Sequence, residues 1–287
     1  MKNINLREFA GKDILVLLKK ADELFTGNLE EKIHSHKIYN NVLEQIPIDY
    51  ENKKLRELRG NLRQKIWNCE RSFFWNENFA SQSGQDKIIK NSFFRSKKNG
   101  YFVEIGAFDG VLGSNCFHFE KFLNWEGIAF EPSNIQFEKL KNNRKCHLIN
   151  KAIASEEKEV EFLEVEEGYT QMSGILNEKF ISEETIKKDP RSKTKKISIT
   201  TTTFEKSVNN DREIDYLSID IEGGEMELLN SIDFEKYSIK VISVENNSIE
   251  KISFKKFFDN KNFKFFERVG QDEIFYNTNF FKFINDN

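Results

Sequence analysis

Proline is scarce in this sequence: 287 residues contain three, Pro47, Pro132 and Pro190, beside only 14 glycines. That scarcity excludes a Pro/Gly-rich disordered chain and argues against a long flexible linker. Cysteine is equally rare. Cys69, Cys116 and Cys146 are odd in number and lack paired metal-ligand spacing, so they exclude a disulfide framework and read as reduced thiols. Neither charge sign dominates, with 44 basic against 47 acidic residues and a net charge of −3, so no global field recruits nucleic acid. Lys187-Lys188 and Lys195-Lys196 are accordingly solvated faces or phosphate contacts rather than a nucleic-acid groove. No apolar run reaches membrane-spanning length, and the opening segment MKNINLREFAGKD has no apolar signal core. The expectation is a cytoplasmic protein without membrane insertion.

Phenylalanine is what the sequence has in quantity. Its 28 copies, within a hydrophobic content of 38%, supply a sizeable aromatic core, and the length suits one large domain or one domain with an accessory piece. Residues 1–75 carry helix-like spacing in ILVLLKKADELF, LEEKIHSHKIYNNVLEQI and KKLRELRGNLRQKIWNCERSF, with charges between apolar positions. They predict an N-terminal helical region that covers the core or joins two copies of the chain. His34 and His36 lie two residues apart there, so on a helix they share no face and make no metal pair.

From about residue 80 the pattern alternates. Strands are predicted at YFVEI (101–105), GIAFEP (127–132), CHLINKAI (146–153), DYLSID (215–220) and KVISVEN (240–246), with helical segments from Ser114, Asn134, Glu225 and Ile249 between them. Such βαβα order predicts a parallel sheet wrapped by helices. FKFFERVG and DEIFYN, separated by a short turn, should close it as an antiparallel hairpin. Residues 164–200 interrupt the alternation as an insertion that caps or selects substrate, its charged part (182–196) being a mobile surface loop on the plainer reading.

The first strand ends in Gly106 and the following turn contains Gly110, which lets backbone approach a bound ligand. Ser114 is a good helix N-cap beyond it, and free N–H groups there favour an anionic group. Glu131 ends the next strand, 25 residues after Gly106, where an acid accepts hydrogen bonds from ribose hydroxyls in nucleotide-binding α/β folds. The spacing G-x-x-x-G is neither a dinucleotide fingerprint nor a P-loop, and Glu104 would repel a pyrophosphate but suit a sulfonium or ammonium. S-adenosylmethionine therefore fits better than NAD or ATP. The plain alternative is a strand–turn–helix in which glycine serves chain reversal only.

Several blocks in order, SQSGQD (81–86), FVEIGAFDG (102–110), SN (114–115), WEG (125–127), EP (131–132), GYTQMSG (168–174), DYLSIDIEGGE (215–225) and VISVEN (241–246), together resemble the FkbM-type methyltransferases. The resemblance covers roughly residues 80–287 and leaves the N-terminal helices outside, dividing the chain into a helical region (1–75) and a methyltransferase domain (76–287). It implies a class I, Rossmann-like methyltransferase sheet with the terminal antiparallel hairpin, S-adenosylmethionine as cofactor, and O-methylation of a sugar hydroxyl on a nucleotide-sugar or surface-polysaccharide precursor. Carried over by position, Glu104, Gly106 and Gly110 surround the methionine end and Glu131 the ribose, with Ser114 and Ala152 in the same cofactor set. Gln85, with Ser83 and Asp86, folds over that pocket on resemblance alone.

Asp220 ends the fourth of these parallel strands and Glu245-Asn246 the fifth, so they converge beside the cofactor. Asp220, Glu245 and Asn246 are the expected ligands of a divalent cation, Mg²⁺ or Mn²⁺ given oxygen donors alone, in a layout similar to catechol-type O-methyltransferases. Without a metal, Asp220 or His118 would be the general base, with Glu222 as a further catalytic carboxylate and Glu225 a helix-capping charge. His118 could equally be a packed helix residue, and Tyr169 could shape the acceptor site or sit in the core. The competing functions are an NAD-dependent sugar oxidoreductase, which lacks its third glycine and Tyr/Lys pair here, methylation of a non-sugar small molecule, and a catalytically silent binding protein. The expected partner is a small sugar or nucleotide-sugar, with a homo-oligomer formed through the N-terminal helices.

Overall fold

The computed structural model describes residues 12–176, 186 and 190–282. It opens with three helices, α1 (Lys12–Phe25), α2 (Leu29–Gln45) and α3 (Lys53–Ser72). A reciprocal capping box starts α2: the Asn28 side chain accepts the Glu31 N–H while the Glu31 carboxylate accepts the Asn28 N–H. Asn52 caps α3 in the same sense at Leu55. The apolar stripes of the three helices meet in their own core around Val42, Leu58, Leu62 and Cys69. Among the described residues no helix is long and apolar enough to cross a membrane.

Seven strands form the main sheet: β1 (Tyr101–Ile105), β2 (Glu126–Phe130), β3 (His147–Ile149), β7 (Ile214–Ile219), β8 (Ile239–Glu245), β9 (Phe263–Val269) and β10 (Asp272–Asn277). Their order is β3-β2-β1-β7-β8-β10-β9. Pairing is parallel from β3 to β8, and β10 runs antiparallel to both β8 and β9. A parallel sheet must be covered on both faces, and β7 (IDYLSI) is accordingly buried at every position. Helices α4 (Gln85–Ile89), which runs on as a π-helix over Lys90–Phe94, α5 (Phe117–Leu123), α6 (Asn134–Asn143), α7 (Phe204–Ser207), α8 (Glu225–Ser231) and α9 (Phe254–Phe258) flank it. This is the class I methyltransferase fold, with the hairpin where the sequence pattern puts it.

Two boundaries differ from expectation. Helix α5 begins at Phe117 rather than near Ser114, because the Ser114 hydroxyl accepts the Phe117 N–H (3.0 Å) from outside the helix. Helix α9 occupies only part of the predicted Ile249–Asn260 span, starting behind a Ser253 cap.

The described residues of the insertion, with the strand that leads into it, form a second sheet. Strands β4 (Glu159–Glu167), β5 (Gly174–Ile175) and β6 (Lys193–Thr200) pair antiparallel in the order β5-β4-β6. Residues 193–196 of the expected surface loop lie in β6, opposite β4, while 182–185 and 187–189 lie outside the described residues. Lys-rich β6 hid the strand because its partner supplies the compensating acids: Lys193 is opposite Glu167 and Lys195 opposite Glu164.

Candidate active site

The carboxyl ends of β1 and β7 touch backbone to backbone. Asp220 N–H donates to the Ile105 carbonyl (3.0 Å), and a Cβ at Gly106 (φ +90°) would lie 1.7 Å from the Asp220 carbonyl oxygen. Glycine is required at 106 by the neighbouring strand end, whatever binds above it. The Gly106 and Ala107 N–H groups both donate to the Phe130 carbonyl, tying β1 to β2. Phe108 follows in left-handed backbone (φ +52°), as does Glu222 across the cleft (φ +58°). For such residues that conformation costs about 1–2 kcal/mol each, and strain of this kind gathers at functional sites.

Phe108's strained backbone aims its N–H at Glu131. The Phe108 amide donates to Glu131 Oε2 (2.9 Å) and the Ser133 amide to Oε1 (2.7 Å), so the carboxylate is held at both oxygens. Burial pushes its pKa up to about 7, reinforced by the charge of Glu164 and opposed by the two amides.

A cleft enclosing about 830 Å³ of space open to solvent runs over these strand ends. Of the expected positions, Gly106, Ser114, Glu131, Ala152, Asp220 and Glu222 line it. Sequence reasoning missed Gln82, Lys151, Phe162, Thr170 and Gln171, which line it too. Gln82 and Thr170-Gln171 fall inside the SQSGQD and GYTQMSG blocks, so a signal existed; Phe162 of β4 had none. Tyr169 is instead 59% exposed, with the Arg191 guanidinium 5.5 Å from its ring.

Five expected site residues are placed elsewhere. Glu104 turns away from the cleft and is 2% exposed; its Oε2 pairs with Arg144 Nη1 (2.8 Å) and its Oε1 accepts from the Ser114 hydroxyl and the Cys116 N–H. A buried carboxylate needs a counter-charge, and Arg144 supplies it, so Glu104 locks the glycine turn and its helix. Gly110 makes room for Leu140 and Arg144 instead of ligand. The Gln85 side-chain amide oxygen accepts the Ser83 N–H, and the same side chain also bonds Asp272. His118 stacks on Phe79 (4.2 Å) with Nδ1 2.8 Å from the Asn78 carbonyl, and burial lowers its pKa. It is a packed histidine. Asn246 points into the hairpin, donating to Glu273 Oε1 (3.1 Å) and accepting the Ser248 N–H.

Glu222 stands where Asn246 was expected. Asp220, Glu222 and Glu245 place carboxylate oxygens within 4.8 Å of one another. Burial raises all three pKa values, and their mutual charges raise those of Asp220 and Glu245 further, with Asp272 adding to both. Glu245 Oε2 is buried without a hydrogen-bond partner. An oxygen-only set with an orphaned buried acceptor fits a hard divalent cation.

Residues 104–271, more than half of the sequence, match the methyltransferase FkbM domain. The chain belongs to the FkbM methyltransferase family. Similar solved structures include methyltransferase FkbM from Methylobacillus flagellatus KT, at 9% identity and TM-score 0.44, covering 83% of this chain and 57% of that one. Others are a mutant of MtNAS in complex with S-adenosylmethionine (11% identity, TM-score 0.37, 93% and 98% covered) and the METTL16 MTase domain (8%, 0.34, 89% and 93%). The chain spans little more than half the length of the first. No curated protein matches its sequence.

Proposed function

We propose that this FkbM methyltransferase transfers the methyl group of S-adenosylmethionine to a sugar hydroxyl, on a nucleotide-sugar or a surface-polysaccharide precursor. One observation carries the reading: the cleft joins a carboxylate-rich floor to a wall of neutral hydrogen-bonding side chains. Gln82, Thr170, Gln171 and Ser173 form that wall, and they match the many hydroxyls of a sugar better than a flat aromatic acceptor. Glu131 takes the ribose hydroxyls, while Gly106, Ser114 and Ala152 shape the cofactor's side of the cleft.

In this reading the acceptor oxygen attacks the methyl carbon, the carbon–sulfur bond breaks, and S-adenosylhomocysteine leaves with the electron pair. Without a bound cation the hydroxyl proton goes to Asp220, whose carboxylate is made a stronger base than a free one by burial and by the charges of Glu222 and Asp272. Asp220, Glu222 and Glu245 would hold Mg²⁺ or Mn²⁺, and such an ion, when bound, makes a nearby hydroxyl easier to deprotonate. We assign residues 1–75 as a helical cover built onto the methyltransferase domain.

Methyl-labelled S-adenosylmethionine should be incubated with a panel of nucleotide-sugars, a catechol and a primary amine. Alkali-stable label on a sugar supports the proposal, and label confined to the catechol or the amine overturns it. Melting shifts with S-adenosylhomocysteine but not with NAD would separate methyl transfer from the oxidoreductase alternative.

A further inference from the structure

The small sheet does more than roof the cleft, because one of its side chains reaches the cofactor's end. We infer that Glu164 is a positioning residue for Glu131: through Ser133 it fixes the amide that holds the ribose-binding carboxylate. The role rests on the S-adenosylmethionine reading of that carboxylate.

Glu164 lies mid-strand in β4 between Leu163 and Val165, and it is 4% exposed. A carboxylate in such surroundings needs a donor, and Glu164 Oε1 accepts from the Ser133 hydroxyl at 2.6 Å. That hydroxyl has a single proton. Giving it to Glu164 leaves the oxygen's lone pairs for the Gln136 N–H (3.3 Å), which is the N-terminal cap of α6. Ser133 is therefore gripped on both sides, by β4 and by α6, and its own N–H is left aimed at Glu131 Oε1 (2.7 Å). Ser133 is buried, so no water competes for these bonds.

Geometry also brings two negative charges together, and Glu164 raises the pKa of Glu131 beyond what burial does. The other charged groups lining this cleft are Lys151, beyond β3, and Asp220 and Glu222, beyond β7. Lys195 of β6 is the cross-strand neighbour of Glu164. Neutralising Glu164 while keeping its hydrogen bond should therefore separate position from charge.

The test is calorimetric titration of the full chain with S-adenosylhomocysteine at about pH 8 and about pH 6. Glu164→Ala should weaken binding at the higher pH about three- to tenfold, as one lost orienting hydrogen bond implies. Glu164→Gln should restore it to within about twofold, because the amide oxygen still accepts from Ser133. The same variant should retain more of its affinity at the lower pH than the natural chain, since Glu131 is relieved of a neighbouring charge. Should Glu164→Ala fail to fold, Ser133→Ala removes the hydroxyl, keeps the amide, and carries the same expected loss. Unchanged binding by Glu164→Ala or Ser133→Ala, or a Glu164→Gln no tighter than the alanine variant, overturns the role. If the natural chain itself does not bind S-adenosylhomocysteine, the cofactor reading falls first and the role falls with it.

Discussion

Glu131 carries conflicting demands at the residue scale. In its proposed role it would accept ribose hydroxyls best as an ionised carboxylate, yet burial pushes this carboxyl up to about 7. Cofactor affinity should therefore decline as pH falls through that value, a slope measurable by titration with S-adenosylhomocysteine. Glu131→Ala should remove the slope and weaken binding by about 1–3 kcal/mol, the cost of hydroxyls left unpaired. The acid cluster gives a second expectation: exhaustive chelation should abolish turnover, Mn²⁺ should restore it, and Asp220→Asn should block the rescue. Full activity of metal-free protein would remove the cation from the chemistry. That Glu131, Asp220 and Glu245 stand at strand ends was legible, since strand ends are readable from apolar runs that stop. Side-chain direction was not. Glu104 and Asn246 sit beside the right turns and point the wrong way, since their partners, Arg144 and Glu273, lie 40 and 27 residues further on.

Among the elements, α3 is the one whose role the sequence left open. It meets the hairpin through buried ion pairs: Arg59 and Arg63 both bind Glu267, and Arg56 lies 3.3 Å from Glu273. Gly60 allows the closest approach, where the Gly270 N–H donates to its carbonyl (3.1 Å) and a Cβ would sit 2.4 Å from the Gly270 carbonyl oxygen. Breaking such a pair strands a carboxylate, so Arg59→Met should cost about 3 kcal/mol by urea denaturation, even with Arg63 still in place. A loss below about 1 kcal/mol would mean that Glu267 is satisfied without Arg59. Helical spacing announced α1 to α3, but the arginines that fasten them look like ordinary surface charges in a linear sequence. Strands β4 and β6 were missed for a related reason: their alternating acids and lysines compensate only once the two strands pair.

The whole molecule should answer pH in two opposite ways. Burial raises the carboxyl pKa values of Asp86 and Asp272 to about 6 and, with Glu164, that of Glu131 to about 7. Each folded value exceeds its unfolded one, so the stability these groups contribute is complete below the unfolded pKa and is lost as pH rises through the folded one. Glu70 behaves in reverse. Burial opposes its ionisation, but hydrogen bonds from His36, Lys87 and Asn76 bring it down to about 2, so its contribution fades only in strong acid. The ligand-free protein should melt higher at about pH 5.5 than at about pH 8.5, while cofactor affinity runs the other way. A calorimetric Tm that rises steadily with pH over that interval would contradict the assignment. The sheet itself was the most legible feature at this scale, since alternating βα units leave few topologies. Its closing strands carry a further consequence, for biosynthesis. Glu267 lies 208 residues after Arg59, and β10 slots between β8 and β9 although it is made after both. During translation the N-terminal helices emerge early, yet their arginines have no carboxylates to meet until the hairpin leaves the ribosome. A nascent chain stalled before Phe263 should therefore keep α3 open to proteases, so that incomplete copies of the chain are the ones most exposed to removal.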